Sequence, residues 1–397
     1  MTSPWGILAL LLTAQTVANI GPMGLPAIAP LIRDDLHLSL SQAGSFLSAY
    51  YVGPLLISLP AGWLADRWGI RGILVAGHLF IAFGLLAGSL AGSFTALAAL
   101  TVLAGLGYGL LNPTSTKAVI AWFPPRQRAT AVGIKQTSLP FGGVLGAVLL
   151  PVLGLSLGWR AAVASAAAGT AALGFTTLLL YRDLPDQPRA SAVSISATVR
   201  TVLASRDLWW LSVATLIFAM LQTVWLSFLV LYLHEVVRLS VVSAAGYLAR
   251  AQVTGVLGRV TFGVLSDRLF GGQRRVVLFL AGTGSMICSI AIAATGPGSP
   301  AWHLWPLTLA FGFVGIGWNG VQHTLMAELA GPTAAGTALG LGLAFSALGV
   351  ILGPPLFGWA VEQLGGYRAA WIGLAASMAI ALTALGQVRE RLRLSDR

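Results

Sequence analysis

The chain alternates between long apolar runs and short polar breaks along its whole length. An α-helix needs about 20 predominantly apolar residues to cross the hydrocarbon core of a bilayer. Charged residues, prolines and glycine clusters divide this sequence into runs of that size. The pattern therefore predicts twelve transmembrane helices, at residues 5–30, 42–65, 72–92, 96–121, 129–153, 160–181, 208–233, 240–266, 275–296, 302–328, 334–361 and 368–386.

The composition also indicates a membrane protein. Of 397 residues, 56% are hydrophobic and 9% are charged, and the mean hydropathy is +0.83. Soluble domains carry about 25% charged residues, so a chain of this composition cannot cover its surface in water and faces lipid. This excludes a soluble enzyme, a disordered chain and a fibrous repeat. The fold class predicted is an all-α integral membrane protein.

The distribution of basic residues predicts the orientation in the membrane. Loops on one side of the predicted bundle, together with the C-terminal tail, hold fifteen arginines, whereas loops on the other side hold Arg33, Arg160, Arg238 and Arg368. Because cytoplasmic loops are rich in Lys and Arg, both termini are predicted to be cytoplasmic, in a multi-pass protein of the cell membrane. The net charge of +11 then faces anionic lipid, and nucleic acid is not an expected partner.

The two halves of the sequence repeat one another. GWLADRWGIR around Asp66 recurs as GVLSDRLFGG around Asp267, Asn112 recurs as Asn319, and WRAA at 159–162 matches YRAA at 367–370. Two halves of six helices each are therefore expected. The predicted domains are an N-terminal half (1–181), a cytoplasmic linker with an amphipathic helix (182–207), a C-terminal half (208–386) and a cytoplasmic tail (387–397).

The repeated motif, G-x-x-x-D-R-x-G-x-R, lies in a predicted cytoplasmic loop after the second and the eighth helix. With six plus six helices, the chain resembles the major facilitator superfamily over essentially its whole length. The resemblance implies two pseudo-symmetric halves, a functional monomer, and a motif that helps latch the halves in the outward-facing state. The gate residues so implied are Gly62, Asp66, Arg67, Gly69 and Arg71 in the first copy and Gly263, Asp267 and Arg268 in the second, which carries an insertion before Arg274.

The charges predicted to lie inside the membrane are all positive. Lys117, Lys135, Arg250 and Arg259 fall within predicted helices, whereas every Asp and Glu lies in a loop or close to a helix end. A charge at the centre of a membrane helix costs at least about 2.5 kcal/mol, and embedded cations without carboxylates repel one another unless an anion joins them. We therefore expect a small anionic substrate.

Arg259 is the strongest candidate for binding that anion. It lies eight residues before Asp267, in the pattern GRVTFGVLSD. This position resembles the substrate-binding arginine of oxalate/formate exchangers, monocarboxylate transporters and nitrate porters. A guanidinium can hold a carboxylate by two parallel hydrogen bonds. A role in helix packing is the alternative.

The other embedded cations also have two interpretations each. Arg250 is nine residues before Arg259, so the two side chains are expected on opposite faces of the helix. Arg250 either serves an outer gate or bonds a neighbouring backbone. Lys135 either binds substrate from the N-terminal half or extends its amine to the membrane interface. Lys117 is expected to extend to the interface.

Uncharged polar residues complete the predicted substrate site. Gln15 and Asn19 are one turn apart and share a face of the first helix. His323 is the candidate for protonation if transport is coupled to protons, because imidazole titrates near neutrality. The remaining candidates are Asn112, Gln136, Asn319 and Gln322. Each of these could instead bond a neighbouring helix.

The sequence holds no nucleotide-binding loop, metal-ligand cluster or nucleophile motif, so neither an enzyme nor a cofactor is expected. The predicted function is secondary active transport of small organic anions, chiefly carboxylates, by alternating access. Coupling to protons or to a counter-anion stays open. Two alternatives remain, an inorganic anion porter for nitrate or cyanate and a non-transporting membrane receptor. Ser58 stands where nitrate porters carry a second arginine.

Overall fold

A computed structural model describes residues 3–124, 131–132, 134–183, 200, 202–331 and 334–390. Within these ranges it describes only the backbone of residues 58–60, 62–63, 66–67 and 335–336. All regular secondary structure in these ranges is helical. The prediction of an all-α fold is therefore confirmed.

Helices occupy all twelve predicted spans. In the first half they are α1 (Pro4–Gly24), α2 (Ala29–Leu36), α3 (Leu40–Gly44), α4 (Phe46–Trp68), α5 (Ile70–Gly88), α6 (Phe94–Trp122), α7 (Ser138–Leu157) and α8 (Trp159–Leu180). In the second half they are α9 (Arg206–Glu235), α10 (Val241–Val264), α11 (Arg274–Ala293), α12 (Ala301–Phe311), α13 (Asn319–Ala330), α14 (Ala335–Gln363) and α15 (Tyr367–Gln387).

Two predicted spans are divided by irregular turns. A 3₁₀ turn at Leu25–Ile28 separates α1 from α2, because Pro26 has no N–H group to continue the α-helical hydrogen bonds. A π-helical turn at Gly312–Ile316 separates α12 from α13. A second π-helical turn, Leu265–Leu269, extends α10 and contains Asp267 and Arg268 of the second copy of the repeated motif.

Ten helical segments of the described ranges are long and apolar enough to cross a membrane. The two predicted spans outside this set are α4 and α10. For α4 the fully described apolar stretch is Phe46–Ile57, because only the backbone of the residues that follow it at 58–60 is described. In α10, Arg250, Gln252 and Arg259 lower the mean hydropathy of the helix. The residues that weaken α10 as a membrane span are thus candidates for the functional site.

The chain divides into two compact units. Unit 1 contains Met1–Arg189 with Ser227–His234 and Leu239–Ala249, and unit 2 contains Ala190–Leu226, Glu235–Arg238 and Arg250–Arg397. In unit 1, α4 and α5 both pack on α6, and α7 packs on α1. In unit 2, α11 packs on α15 and α13 packs on α14.

Glycines allow the helices of unit 1 to approach closely. A Cβ atom on Gly105 of α6 would lie 1.9 Å from the carbonyl oxygen of Tyr50 on α4. One on Gly142 of α7 would lie 2.7 Å from the carbonyl oxygen of Thr16 on α1. Small residues at these crossings bring the backbones together, as in other membrane helix pairs. The two crossings fix α1, α4, α6 and α7 around the polar side chains described below.

The sequence repeat corresponds to the same contact in each unit. In unit 1, the indole of Trp159 donates a hydrogen bond to Asp35 Oδ2 at 3.1 Å. In unit 2, the hydroxyl of Tyr367 donates to Glu235 Oε2 at 3.1 Å. WRAA and YRAA therefore begin α8 and α15 with an aromatic donor that ties the helix to a carboxylate.

Candidate functional site

Polar side chains of α1 and α6 form a hydrogen-bonded group inside unit 1. Gln15 donates from Nε2 to Asn112 Oδ1 at 3.3 Å, and its Oε1 accepts from the Ser115 hydroxyl at 3.1 Å. Gln15 is 1% exposed. Both ends of its amide are bonded, so the side chain holds α1 and α6 together and fixes the orientation of Asn112.

Lys135 extends the same group. It lies in the helical turn that precedes α7 and is 0% exposed. Its amino group donates to the carbonyl oxygen of Asn112 at 3.0 Å and also to Asn112 Oδ1. It further contacts Thr116 Oγ1 at 3.2 Å and Gln136 Oε1 at 3.3 Å. We call Gln15, Asn112, Ser115, Thr116 and Lys135 the lysine cluster.

The alternative interpretation, in which the Lys135 side chain extends to an interface, is wrong. Its Nζ atom is turned inward toward α6 and is enclosed by protein. Within the described residues, all its hydrogen-bond partners are uncharged oxygens. Gln136, the neighbouring candidate, is an exposed residue that reaches the cluster through its contact with Lys135 Nζ.

Asn19 connects the lysine cluster to three tyrosines that the sequence analysis did not single out. Asn19 Nδ2 donates to the carbonyl oxygen of Gln15 at 2.7 Å, and its Oδ1 accepts from the Tyr50 hydroxyl at 3.5 Å. The ring of Tyr50 lies 5.9 Å from that of Tyr51 and 5.5 Å from that of Tyr108. Tyr50 is buried, and its hydroxyl is a second source of hydrogen bonds next to α1.

In unit 2, an equivalent amide pair joins α9 and α13. Asn319 Nδ2 donates to Gln222 Oε1 at 3.2 Å, and the indole of Trp318 donates to the same oxygen at 3.0 Å. Gln222 was not among the predicted site residues. It lies 207 residues after Gln15, and Asn319 lies 207 residues after Asn112. Applying the repeat shift to Gln15 would have found it.

Arg259 lies next to this pair. Its Nε atom donates to the carbonyl oxygen of Ile316 at 3.4 Å, and Asn319 Nδ2 donates to the same oxygen at 3.1 Å. Ile316 is the last residue of the π-helical turn Gly312–Ile316. Such turns interrupt the regular backbone hydrogen bonds and occur often at functional sites. We call Gln222, Arg259, Ile316, Trp318 and Asn319 the arginine cluster.

Arg250 contacts the α12–α13 span through an aromatic ring. Its guanidinium lies 4.0 Å from the ring centroid of Trp305 on α12. Between the two arginines, Gly258 packs so closely that a Cβ would lie 2.2 Å from the carbonyl oxygen of Phe313. Arg250 and Arg259 therefore both contact the α12–α13 span, one at the Trp305 ring and the other at the Ile316 carbonyl oxygen. Arg250 therefore forms a cation–π contact.

The remaining candidates of unit 2 follow on α13. Gln322 is 2% exposed, and in the described part of the chain its Nε2 atom has no hydrogen-bond partner. A Cβ on Gly342 of α14 would lie 3.0 Å from that atom. His323 is partly buried and interacts electrostatically with Arg259. Among the described residues, no group of three His, Cys, Asp or Glu side chains is arranged to hold a metal ion.

The first copy of the gate motif is only partly visible. The side chains of Gly62, Asp66 and Arg67 lie outside the described residues. Gly69 has a φ of 80°, and a Cβ there would lie 2.6 Å from Asp183 Oδ2. The backbone N–H of Arg71 donates to Asp183 Oδ1 at 3.1 Å, and its guanidinium donates to the carbonyl oxygen of Leu178. Asp183 thus caps α5, and the cap requires glycine at 69.

In the second copy, Asp267 pairs with Arg274. The same guanidinium contacts Glu328 Oε1 at 3.3 Å and Ser266 Oγ at 2.8 Å. Arg268, the predicted gate residue, is exposed and forms none of the ion pairs that the structure describes. The π-helical turn and the two extra glycines after it, Gly271 and Gly272, bring Arg274 to Asp267. A Cβ on Gly263 would meet no atom within 4 Å, so packing does not require glycine there.

Comparison with known proteins agrees with this architecture. The sequence profile described as "Major Facilitator Superfamily" matches residues 11–343. A probable sulfoacetate transporter of Cupriavidus necator is 28% identical, over 91% of this chain and 88% of that protein. A probable galactarate/D-glucarate transporter of Bacillus subtilis is 24% identical, over 95% and 90%.

A solved structure shares the fold at low sequence identity. It is a bacterial homologue of the human lysosomal transporter Spinster, in an inward-facing and unoccupied conformation, with a TM-score of 0.82 and 18% identity over 96% of both chains. The predicted twelve-helix fold is therefore confirmed. With the profile match covering most of the sequence, the chain belongs to the Major Facilitator Superfamily and is a multi-pass membrane transporter, not an enzyme.

Proposed function

We propose that this protein is a secondary active transporter of small organic anions, which it moves across the cell membrane by alternating access. The main support is the lysine cluster. Among the described residues, the fully buried amino group of Lys135 there contacts only uncharged oxygens. A buried charge without a counter-charge is unfavourable by several kcal/mol. A transported anion would supply that counter-charge.

Arg259 is proposed to bind the carboxylate or sulfonate of the substrate. Its Nε bond to Ile316 fixes the plane of the guanidinium, and a planar fork is suited to an anion with two oxygens. Lysine would keep the charge but could not present two parallel donors. Asn319 shares the Ile316 oxygen and lies beside this group as a further hydrogen-bond donor.

The named relatives support an organic acid rather than an inorganic anion. The two proteins reported above are named as transporters of sulfoacetate and of galactarate or D-glucarate. These substrates share a carboxylate and further oxygen atoms. Amide and hydroxyl groups such as those of Asn19, Tyr50 and Gln322 are suited to bind such oxygens, whereas a purely electrostatic site would not need them.

Alternating access would use the repeated halves 1–181 and 208–386 as the moving bodies, with both termini in the cytoplasm. The gate motif would act at the cytoplasmic ends of the helices. In its first copy we assign this role to Asp66, Arg67 and Arg71. In its second copy we assign it to Asp267 with Arg274, because these two form the ion pair.

The test is counterflow in proteoliposomes. Purified protein is reconstituted with an internal unlabelled acid, and uptake of labelled sulfoacetate, D-glucarate, oxalate or nitrate is measured. We expect exchange of at least one organic acid and a loss of at least tenfold in Arg259→Lys. Arg368→Lys, at an exposed helix start, is the matched control and should exchange normally.

Three results would contradict the proposal. Transport of an amine or a neutral sugar, without transport of any acid, would show that the embedded cations do not bind the substrate. Exchange of nitrate alone would favour the inorganic anion porter. Saturable binding without exchange would indicate a receptor.

A further inference from the structure

We propose that Lys135 is the proton-binding site of the transporter, an uncharged amine in the empty state that takes up one proton with each anion. This inference rests on the proposed function, because it needs an anionic substrate. It goes further by naming the coupling ion and the residue that carries it.

The surroundings of Lys135 are polar but uncharged. Its Nζ atom is within hydrogen-bond distance of the Asn112 carbonyl oxygen at 3.0 Å and of Thr116 Oγ1 at 3.2 Å. An amine has two N–H groups and an ammonium has three, so this group of oxygens can accept from either form. Because the cluster is enclosed by protein, its uncharged oxygens stabilise the charged ammonium less than bulk water does. The charged form therefore needs a partner that the described residues do not supply.

Neighbouring helices of unit 1 hold few titratable groups that could serve as that partner. The residues of α1 and α7 include no Asp, Glu, His, Lys, Arg, Cys or Tyr. On α6, the titratable side chains are Tyr108 and Lys117. On α4 they are Tyr50 and Tyr51, which contact Tyr108, and Asp66 and Arg67, whose side chains lie outside the described residues. Tyrosines are neutral at physiological pH and Lys117 is cationic. Among the described side chains of these four helices, none offers a negative charge to Lys135.

An incoming carboxylate changes this balance. Beside the anion, the ammonium gains an opposite charge in a region of low dielectric, and the charged form becomes favourable. One proton then joins Lys135 Nζ as the anion binds, forming R–COO⁻ next to R–NH₃⁺. After the halves reorient, release of the anion removes that partner, and the proton leaves Nζ to the cytoplasm. A monoanion is thus carried without net charge, and a dianion carries one negative charge.

Lys135→Arg is the decisive variant. Arginine keeps the positive charge but does not lose its proton in proteins. Exchange of anion for anion needs only the charge, whereas accumulation driven by a proton gradient needs the proton to leave. We therefore expect Lys135→Arg to lose at least tenfold more of its pH-driven accumulation than of its counterflow. Lys117→Arg, the matched control on α6, should retain both.

The experiment uses proteoliposomes containing a trapped pH-sensitive dye and an imposed proton gradient, with each acid that exchanges in the counterflow panel. The wild-type protein should acidify the interior by one proton per anion taken up. Wild-type anion transport without proton movement would overturn the inference. So would full pH-driven accumulation by Lys135→Arg, or loss of coupling in His323→Gln with coupling intact in the lysine variant.

A binding measurement covers the case in which Lys135→Arg does not fold. Calorimetric titration of the purified protein with the exchanging acid, in two buffers of different ionisation enthalpy, gives the number of protons taken up. We expect one for the wild type and none for Lys135→Gln. Equal proton uptake by both would overturn the inference. Absence of exchange for every acid would instead refute the proposed function itself.

Discussion

Asn319 donates to Gln222 at 3.2 Å, across the same 97-residue separation at which Gln15 donates to Asn112 in the other unit. The two amide pairs occupy equivalent places in the repeat, yet each supports a different cation. Lys135 binds Asn112 directly, whereas Arg259 shares the Ile316 carbonyl oxygen with Asn319. The repeat thus places a similar amide pair in each unit. The positive charge beside it is Lys135 in unit 1 and Arg259 in unit 2.

Loss of the Gln222 acceptor should weaken substrate binding more than folding. Gln222→Met keeps the size of the side chain but removes the oxygen that orients Asn319 and Trp318. One buried hydrogen bond contributes about 1 kcal/mol, so we expect a rise in substrate Kd of roughly fivefold. Thermal-shift binding curves with the exchanging acid measure this. Gln363→Met, at the exposed end of α14, is the control. An unchanged Kd in Gln222→Met would show that the amide pair has no part in the site.

The contact between α4 and α6 should be intolerant of a methyl group. In Gly105→Ala, the new Cβ would lie 1.9 Å from the Tyr50 carbonyl oxygen, so the helices must separate. Overpacking of this kind costs about 1–3 kcal/mol. We expect a clearly lower melting temperature in detergent. Gly373→Ala on α15 meets no atom within 4 Å and should leave the melting temperature equal or higher. Equal melting temperatures for the two variants would contradict the close approach.

In the second gate motif, the sequence and the structure lead to different arginines. Arg274 contacts Asp267 and Glu328, whereas Arg268 is exposed. Arg274→Ala should therefore lower the transport rate severalfold, with little change in Kd, because it removes an ion pair between helix ends and leaves the substrate site intact. Arg268→Ala is the matched control and should transport at the wild-type rate. A greater loss of transport rate in Arg268→Ala than in Arg274→Ala would instead support Arg268 as the gate residue.

The sequence predicted the helices well because a membrane span has a simple requirement of length and apolarity. It also predicted Gln15, Asn112 and Lys135 of the lysine cluster as site residues, since large polar side chains inside spans are few, but it did not single out Ser115 or Thr116. It did not predict that Gln15, Asn112 and Lys135 bond one another, because helix packing decides which faces meet. Tyr50 was not predicted as a site residue, because tyrosines are common near the ends of membrane spans. The π-helical turn Gly312–Ile316 has no signature in the sequence. The ion pair between Asp267 and Arg274 has none either.

That π-helical turn should be essential for the arginine cluster but not for the fold. A π-helical turn accommodates one residue more than an α-helical turn, so deletion of Gly315 should convert Gly312–Ile316 to α-helix and keep the flanking faces of α12 and α13. The Ile316 oxygen would then return to the regular backbone hydrogen bonds and release Arg259 and Asn319. We expect a monodisperse protein whose affinity for the exchanging acid falls at least tenfold, comparable to Arg259→Lys. Gly315→Ala tests a different property from the deletion. Its Cβ would lie 2.3 Å from the Phe311 ring, so this variant measures side-chain packing and not the π-helical turn. Wild-type affinity in the deletion variant would show that Arg259 needs no such carbonyl to bind the anion.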